Sequence, residues 1–332
     1  MKIIGITLGD PAGIGGEIFL KGNDEIKKIK NSFPVLIGDR TVLERNAIVL
    51  NKKINIKEIK DKSQLDKNCI NIFSVNFIKE KNYPIGKNSK ICGLSSFKYI
   101  EFAIDLWKKN QIDALVTLPI SKKAWEKAGI KYPGHTELLS EKFNARKTAM
   151  IMVADKIRTV LATTHISLKE VIGKLSVQLI VEKVKNGIEF LEKLKIKNPV
   201  IGISGLNPHA GEEGLMGDEE IRIIKPAIKK LRKQGINCIG PIVPDAIFRK
   251  NIEGEISLIV SMYHDQALIP LKTFYFEKLV NFTSGIPMIR TSPGHGTAFD
   301  IAYKNKGNPS SFVESYKLAV KLCDQKVQRK SK

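Results

Sequence analysis

Short apolar runs rich in β-branched residues alternate along the chain with longer stretches in which apolar residues recur three and four positions apart. Residues 3–8, 35–37, 70–75, 114–118, 149–153, 160–163, 200–204 and 257–262 are of the first kind, and each is predicted to be a strand. Residues 94–108, 176–194 and 219–234 carry helical spacing. A last helix is predicted over 310–327, with Pro309 near its first turn, where a missing N–H costs nothing. Strand and helix patterns in alternation argue for an α/β fold with a largely parallel or mixed sheet. No internal repeat or low-complexity linker marks a domain boundary, and 332 residues suggest about two domains.

Composition narrows this picture. With 42% hydrophobic and 27% charged residues the chain can bury a substantial core. Its first residues run directly into a strand pattern, without the basic flank and apolar stretch of a signal peptide, so a cytoplasmic location is expected. Apolar runs such as 257–262 fall far short of the roughly 20 residues that cross a bilayer, so no membrane partner is expected. Cys69, Cys92, Cys238 and Cys323 are too scattered for a CxxC metal pair or a compact disulfide framework, and reduced, buried thiols are predicted. A formal charge of +21 favours acidic partners, either nucleic acid or a phosphorylated substrate. The lysines of 25–30, 52–62, 183–197 and 225–233 are spaced as solvated helix and loop faces, which weighs against nucleic acid and leaves the small phosphorylated ligand.

The chemistry gathers around the five histidines. All sit in short segments rich in glycine, proline and small polar residues: Gly134-His135-Thr136-Glu137, Thr163-Thr164-His165, Gly205-Leu206-Asn207-Pro208-His209-Ala210-Gly211, Met262-Tyr263-His264-Asp265-Gln266 and Pro293-Gly294-His295-Gly296-Thr297. None is expected inside a helix. His165, His209 and His264 each follow a predicted strand, and the carboxyl ends of strands form the binding crevice of open α/β sheets. One such histidine alone reads more simply as a hydrogen-bonded loop residue. Three at strand ends point to a shared divalent metal, since imidazoles are common ligands and three leave coordination positions open. The loop Gly9-Asp10-Pro11-Ala12-Gly13-Ile14-Gly15-Gly16-Glu17 follows a strand and opens a helix, so it is either an anion-binding helix start or a tight turn. It is no Rossmann fingerprint, because Ile18 stands where the third glycine belongs, and no Walker sequence exists in the chain.

The segments Gly9-Asp10-Pro11-Ala12-Gly13-Ile14-Gly15, Gly134-His135-Thr136-Glu137, Gly205-Leu206-Asn207-Pro208-His209-Ala210-Gly211 and Tyr263-His264-Asp265-Gln266 together resemble the 4-hydroxythreonine-4-phosphate dehydrogenase family, in order and spacing over nearly the whole chain. The resemblance implies a two-domain isocitrate/isopropylmalate dehydrogenase-like α/β fold with mixed sheets, flanking helices and an active site in the interdomain cleft. The expected domains are 1–128 with 270–332 on the cofactor side, and 129–269 for metal binding and dimerisation. It also implies a homodimer with active sites at its interface, NAD or NADP as cofactor, and one divalent ion (Zn, Mg or Co) per subunit.

Carried over by position, the family's metal ligands fall on His165, His209 and His264, the three that strand-end placement selects. Its substrate-binding residues fall on His135, Thr136, Lys272, Asn281 and Arg290, types that suit a phosphorylated hydroxy acid. The segment Gly294-His295-Gly296-Thr297-Ala298, with Asp300 and Asn308, is similar to the cofactor-adenosine loop of the wider group; otherwise it is a glycine-rich loop capping the last helix. Lys272, Asp245 and Asp265 are unranked candidates for the general base. The implied reaction oxidises 4-phosphooxy-L-threonine to 2-amino-3-oxo-4-phosphooxybutanoate, which decarboxylates to 3-amino-2-oxopropyl phosphate on the route to pyridoxal phosphate. A paralogue acting on another phosphorylated hydroxy acid, or on a cis-dihydrodiol carboxylate, would share these motifs. Gly16, Leu215 and Pro293-Gly294 depart from the family pattern, the last beside the cofactor segment, so NAD and NADP both stay open.

Overall fold

The computed structural model describes residues 1–324, so the predicted reach of the last helix to Val327 lies outside the described residues. The strands, in chain order, are β1 (Lys2–Thr7), β2 (Ser32–Gly38), β3 (Ile56–Glu58), β4 (Ile70–Ser74), β5 (Ala114–Thr117), β6 (Ala149–Ala154), β7 (Ile157–Leu161), β8 (Ile201–Ser204), β9 (Cys238–Ile242), β10 (Leu258–Ser261), β11 (Val280–Ser284) and β12 (Ile289–Pro293). The chain divides into two compact units, Met1–Asn144 with the chain from Pro287 onward, and Ala145–Ile286.

In the first unit the strands run β3-β4-β2-β1-β5-β12, and every neighbouring pair is parallel. Parallel neighbours need crossovers, which the helices Gly15–Ile26 and Lys90–Lys108 supply, while Ser310–Cys323 packs back after β12. Ile4, Ile6, Phe19, Leu36, Val116, Phe312 and Tyr316 are buried together in its core. Gly15 is needed where the first helix leaves β1: a Cβ there would lie 2.1 Å from the Leu8 carbonyl oxygen.

The second unit orders its strands β11-β6-β7-β10-β8-β9, antiparallel through the first two pairs and parallel thereafter. The helix Val177–Lys193 starts at Ser176, whose hydroxyl accepts from the Leu179 amide at 3.1 Å. Met152, Leu161, Ile247, Ile259 and Leu271 form part of its core. The fold is thus α/β with parallel and mixed sheets flanked by helices, as the strand and helix periodicities require. All four cysteines are free and buried. Among the described residues no helix is long and apolar enough to cross a membrane.

Two features depart from the sequence pattern. The helix expected over 219–234 is a π turn, Glu220–Ile224, followed by the α-helix Lys225–Lys233. Pro226 lacks the N–H that would carry the α register through this point. β3, β9, β11 and β12 were not predicted, because Lys57, Gly240-Pro241, Asn281 and Arg290-Thr291-Ser292 break their apolar runs.

Candidate active site

In the first unit, β5 ends at Thr117 and its parallel neighbour β12 carries Arg290 opposite Leu115. Arg290 is only 2% exposed, and its Nε and Nη2 both donate to the Thr117 hydroxyl oxygen, at 3.0 and 2.6 Å. Burial pulls the guanidinium down to about 9, while the Glu137 carboxylate acts in the opposite sense. His135 is the first residue of the helix His135–Lys142, so it opens a helix where the sequence suggested a loop. Its ring stands edge-on to the fully buried Trp125, with centroids 6.0 Å apart. Burial, and after it the Arg290 charge, hold the imidazole well below its ordinary range, so it is neutral at physiological pH. His135 Nε2 is shielded from solvent and has no hydrogen-bond partner. Thr136 follows it, half-buried. A buried cation beside a neutral imidazole with an unsatisfied nitrogen is an arrangement that accepts an anionic, hydrogen-bonding ligand.

The two glycine-rich segments of this unit pack on one another. The Ile14 amide donates to the Thr297 carbonyl at 3.1 Å, the Tyr303 hydroxyl donates to the Pro11 carbonyl at 3.0 Å, and a Cβ on Gly13 would lie 2.9 Å from Thr297 O. The loop's own carboxylate occupies its turn: Asp10 Oδ1 accepts from the Ala12 amide at 2.9 Å, and burial raises the Asp10 carboxyl to about 6. Glu17, in the first turn of the following helix, is buried and accepts from the Gly307 amide at 2.6 Å and Lys21 Nζ at 2.9 Å. The Gly9–Glu17 segment is therefore a tight turn, held by the Asp10 carboxylate and by bonds to residues 297–307. Of the cofactor candidates, Ala298 takes a left-handed conformation (φ 45°), Asp300 is exposed, and Asn308 caps the last helix by accepting from the Ser310 amide at 2.8 Å. The Gly294 amide donates to Ser311 Oγ at 3.0 Å, and His295 Nδ1 meets the Gly296 carbonyl at the same distance. A Cβ added at Gly296 would meet nothing within 4 Å.

The second unit holds the other candidates. His165 follows β7 and His264 follows β10, and their rings face one another with centroids 5.6 Å apart. His264 opens the helix His264–Tyr275, and its Nδ1 lies 2.6 Å from Asp265 Oδ1, which leaves Nε2 pointing away from that bond. A carboxylate on one ring nitrogen is the usual support of an imidazole that ligates through the other. His209 lies after β8 in a left-handed run, with φ of 50° at His209, 55° at Ala210, 83° at Gly211, 42° at Glu212 and 55° at Glu213. Such a run is costly for residues with a Cβ. Buried Glu220 braces its approach, accepting from the Leu206 and Asn207 amides at 2.7 and 2.8 Å. Among the described residues no three His, Cys, Asp or Glu side chains are gathered closely enough to hold a metal ion. Imidazole donors suit a divalent ion, and the His165 and His264 rings lie close together, tilted by 44°. Asn281, on β11, has its Oδ1 buried without a partner. Lys272 and Asp245 are exposed, on the helix His264–Tyr275 and in the turn after β9.

Thr117 was not among the residues singled out from the sequence. Nothing local ties it to Arg290, 173 positions away; only the pairing of β5 with β12 does. Glu137 was quoted in a motif and given no role, and it proves to be the carboxylate that acts on Arg290.

A parallel α/β unit with buried Arg290 beside a neutral His135, and a second unit with two neighbouring strand-end histidines, have the build of an α/β enzyme. The family model for pyridoxal phosphate biosynthetic protein PdxA matches residues 30–319, and the chain belongs to that family. A 4-hydroxythreonine-4-phosphate dehydrogenase of Sulfurihydrogenibium sp. is 42% identical, over 97% of this chain and 98% of its own. A protein of Oceanobacillus iheyensis, provisionally named D-threonate 4-phosphate dehydrogenase, is 38% identical over 98% of each. The crystal structure of 4-hydroxythreonine-4-phosphate dehydrogenase from Klebsiella pneumoniae superposes with a TM-score of 0.86 at 35% identity, covering 97% of this chain and all of that one. The relatives are dehydrogenases, and the chain is an oxidoreductase of their kind.

Proposed function

We propose that the protein oxidises the secondary hydroxyl of 4-phosphooxy-L-threonine, transferring hydride to NAD+ or NADP+ and releasing a proton. The product, 2-amino-3-oxo-4-phosphooxybutanoate, then loses CO2 to give 3-amino-2-oxopropyl phosphate, a step in making pyridoxal phosphate. The observation that carries this reading is buried Arg290 beside neutral His135, in a chain 42% identical to a dehydrogenase of that substrate. Arg290 supplies charge-assisted bonds to an anionic group of the substrate, and His135 offers its unsatisfied nitrogen alongside Thr136. Asn281, with a buried unpartnered oxygen, and Lys272 are assigned to the same ligand.

His165, His209 and His264 are assigned to one divalent ion, Zn, Mg or Co, with Asp265 orienting His264. When bound, such an ion supplies Lewis-acid stabilisation of charge developing on the substrate's oxygen. Asp265 is engaged by His264, which leaves Lys272 and Asp245 as candidates for the base that removes the hydroxyl proton. The segment Gly294–Ala298, with Asp300, is assigned to the adenosine end of the dinucleotide; in this reading Asn308 supports it by capping the last helix. A cytoplasmic homodimer with active sites at its interface is part of the same reading. Ile269 and Phe274, on the helix that His264 opens, are 64% and 76% exposed, and Leu215, in the segment after His209, is 80% exposed. Apolar side chains bared on the histidine-bearing segments are the mark of a surface that a second copy covers.

A second reading is favoured by the Oceanobacillus relative: D-threonate 4-phosphate differs at C2, where a hydroxyl replaces the amine. Steady-state turnover of both phosphorylated substrates with NAD+ and NADP+, on chelated protein re-supplied with each metal, tests the proposal. Reduced nicotinamide and CO2 formed together from 4-phosphooxy-L-threonine support it. Absence of turnover with any metal and either cofactor refutes it.

A further inference from the structure

We infer that Gln266 is a positioning residue for the strand-end histidines: its side-chain amide ties the segment that leads into His264 to the one that leads to His209, and so sets how these two histidines stand to one another. This rests on the assignment of His165, His209 and His264 to one divalent ion. The geometry begins where the strands part. β10 pairs with β8 as far as Val260 and Ile203, and two residues further on the two chains have reached Met262 and Gly205. There the Gln266 carboxamide stands between them: its Oε1 accepts from the Met262 amide at 2.6 Å, and its Nε2 donates to the Gly205 carbonyl at 2.8 Å. The side chain thus takes the place of a backbone bond and carries the ladder past the end of the strands. On the other edge of β10 the chain before His165 is tied in as well, because the Thr163 amide and hydroxyl both donate to the Met262 carbonyl, at 3.2 and 2.7 Å.

Each tied residue stands shortly before a histidine, Thr163 and Met262 by two positions and Gly205 by four. Met262 is fully buried and Gln266 is 8% exposed, so these bonds are shielded from water. The amide's orientation follows from its neighbours: a backbone N–H on one side requires the oxygen there, and a carbonyl on the other side requires the nitrogen. An ionised glutamate would set a carboxylate against the Gly205 carbonyl, and asparagine is one methylene shorter. Gln266 is the third residue of the helix that His264 opens, so the turn that presents His264 also supplies the tie. Glu220 accepts from the next two amides, those of Leu206 and Asn207. Glu220 therefore fixes the loop against the segment that follows it, whereas Gln266 fixes it against the strand that leads to His264.

Gln266→Met keeps the length of the side chain and removes both bonds. With His209→Ala and the double variant it forms a cycle, measured on the full-length, metal-stripped protein with Co2+ as the probe. Three quantities are read: the Co2+ dissociation constant by equilibrium dialysis, the visible absorption of the bound ion, and the urea stability of the metal-free protein. Gln266→Met is expected to weaken Co2+ binding about tenfold or more and to alter the absorption band, as for the loss of a group that orients metal ligands. Once His209 is gone, the same substitution should cost about threefold or less, because the loop no longer has a ligand to place. A glutamine that only supports the fold would lower the urea midpoint and leave Co2+ affinity and absorption as in wild type, and that result would overturn the inference. A cost that is the same with and without His209 would overturn it too. Should Gln266→Met not fold, Gln266→Glu enters the same cycle; the effect of its new charge would persist without His209, whereas a positioning effect would not. If His209→Ala leaves Co2+ binding unchanged, the assignment of His209 to the metal falls and the inference falls with it.

Discussion

Replacing Asp10 by Asn should change how stability depends on pH. Asp10 is 1% exposed at the start of the turn after β1, and burial lifts its carboxyl from 3.8 to about 6. A folded-state pKa above the unfolded one means that the folded protein binds this proton more tightly. Its contribution is therefore fully present below about pH 3.8 and is lost as pH rises through about 6. The difference between 3.8 and about 6 corresponds to roughly 3 kcal/mol, at about 1.4 kcal/mol for each tenfold change in proton affinity. Asparagine keeps the Oδ1 that accepts from the Ala12 amide, but it cannot ionise. Its new amide donor replaces Oδ2, which has no partner, and adds a cost that does not vary with pH. The absolute stability difference thus mixes two effects, whereas its slope isolates the carboxyl. Urea denaturation of wild type and Asp10→Asn, repeated from pH 4 to pH 7.5, should show the variant gaining roughly 2–2.5 kcal/mol relative to wild type across that range, because the unfolded carboxyl is already partly ionised at pH 4. Parallel stability curves would refute the reasoning, and would mean that the ionised Asp10 carboxylate is compensated within the fold.

Arg290→Ala should lower kcat/KM about 10- to 150-fold, mainly through substrate KM, because a hydrogen bond from a charged group is worth about 1.5–3 kcal/mol; unchanged kinetics would exclude it from the substrate. Asp265→Asn should weaken metal binding about 10- to 100-fold in equilibrium dialysis, since the carboxylate supports His264, and equal affinity would remove that support. Gly296→Phe should raise the cofactor KM with little change in melting temperature, because the position is open and its backbone is not left-handed; a cofactor KM like wild type would show that the segment holds no dinucleotide.

The sequence was most legible where one local signal decided the structure. The eight apolar runs became strands because burial on both faces of a sheet permits unbroken Val and Ile. Elements whose residues serve two purposes were hidden: β11 and β12 carry Asn281 and Arg290 and so read as polar loops, although pairing with β6 and β5 makes them strands. Of the site, the histidines stood out because glycine and proline surround them. The Thr117–Arg290 contact depends on strand register across 173 positions, which no local pattern encodes. The left-handed backbone at His209 was equally invisible, and so was Glu220, 13 and 14 positions further along, accepting from the Asn207 and Leu206 amides just before it.

The central claim concerns the substrate, and the most direct measurement is a competition between 4-phosphooxy-L-threonine and D-threonate 4-phosphate for the same metal-loaded enzyme, read as the ratio of their kcat/KM values. The account predicts a ratio above about tenfold in favour of the amino acid, the discrimination expected from polar contacts matched to the amine at C2. A ratio reversed in favour of the hydroxy acid would contradict it, and would place this chain with the D-threonate 4-phosphate relatives instead.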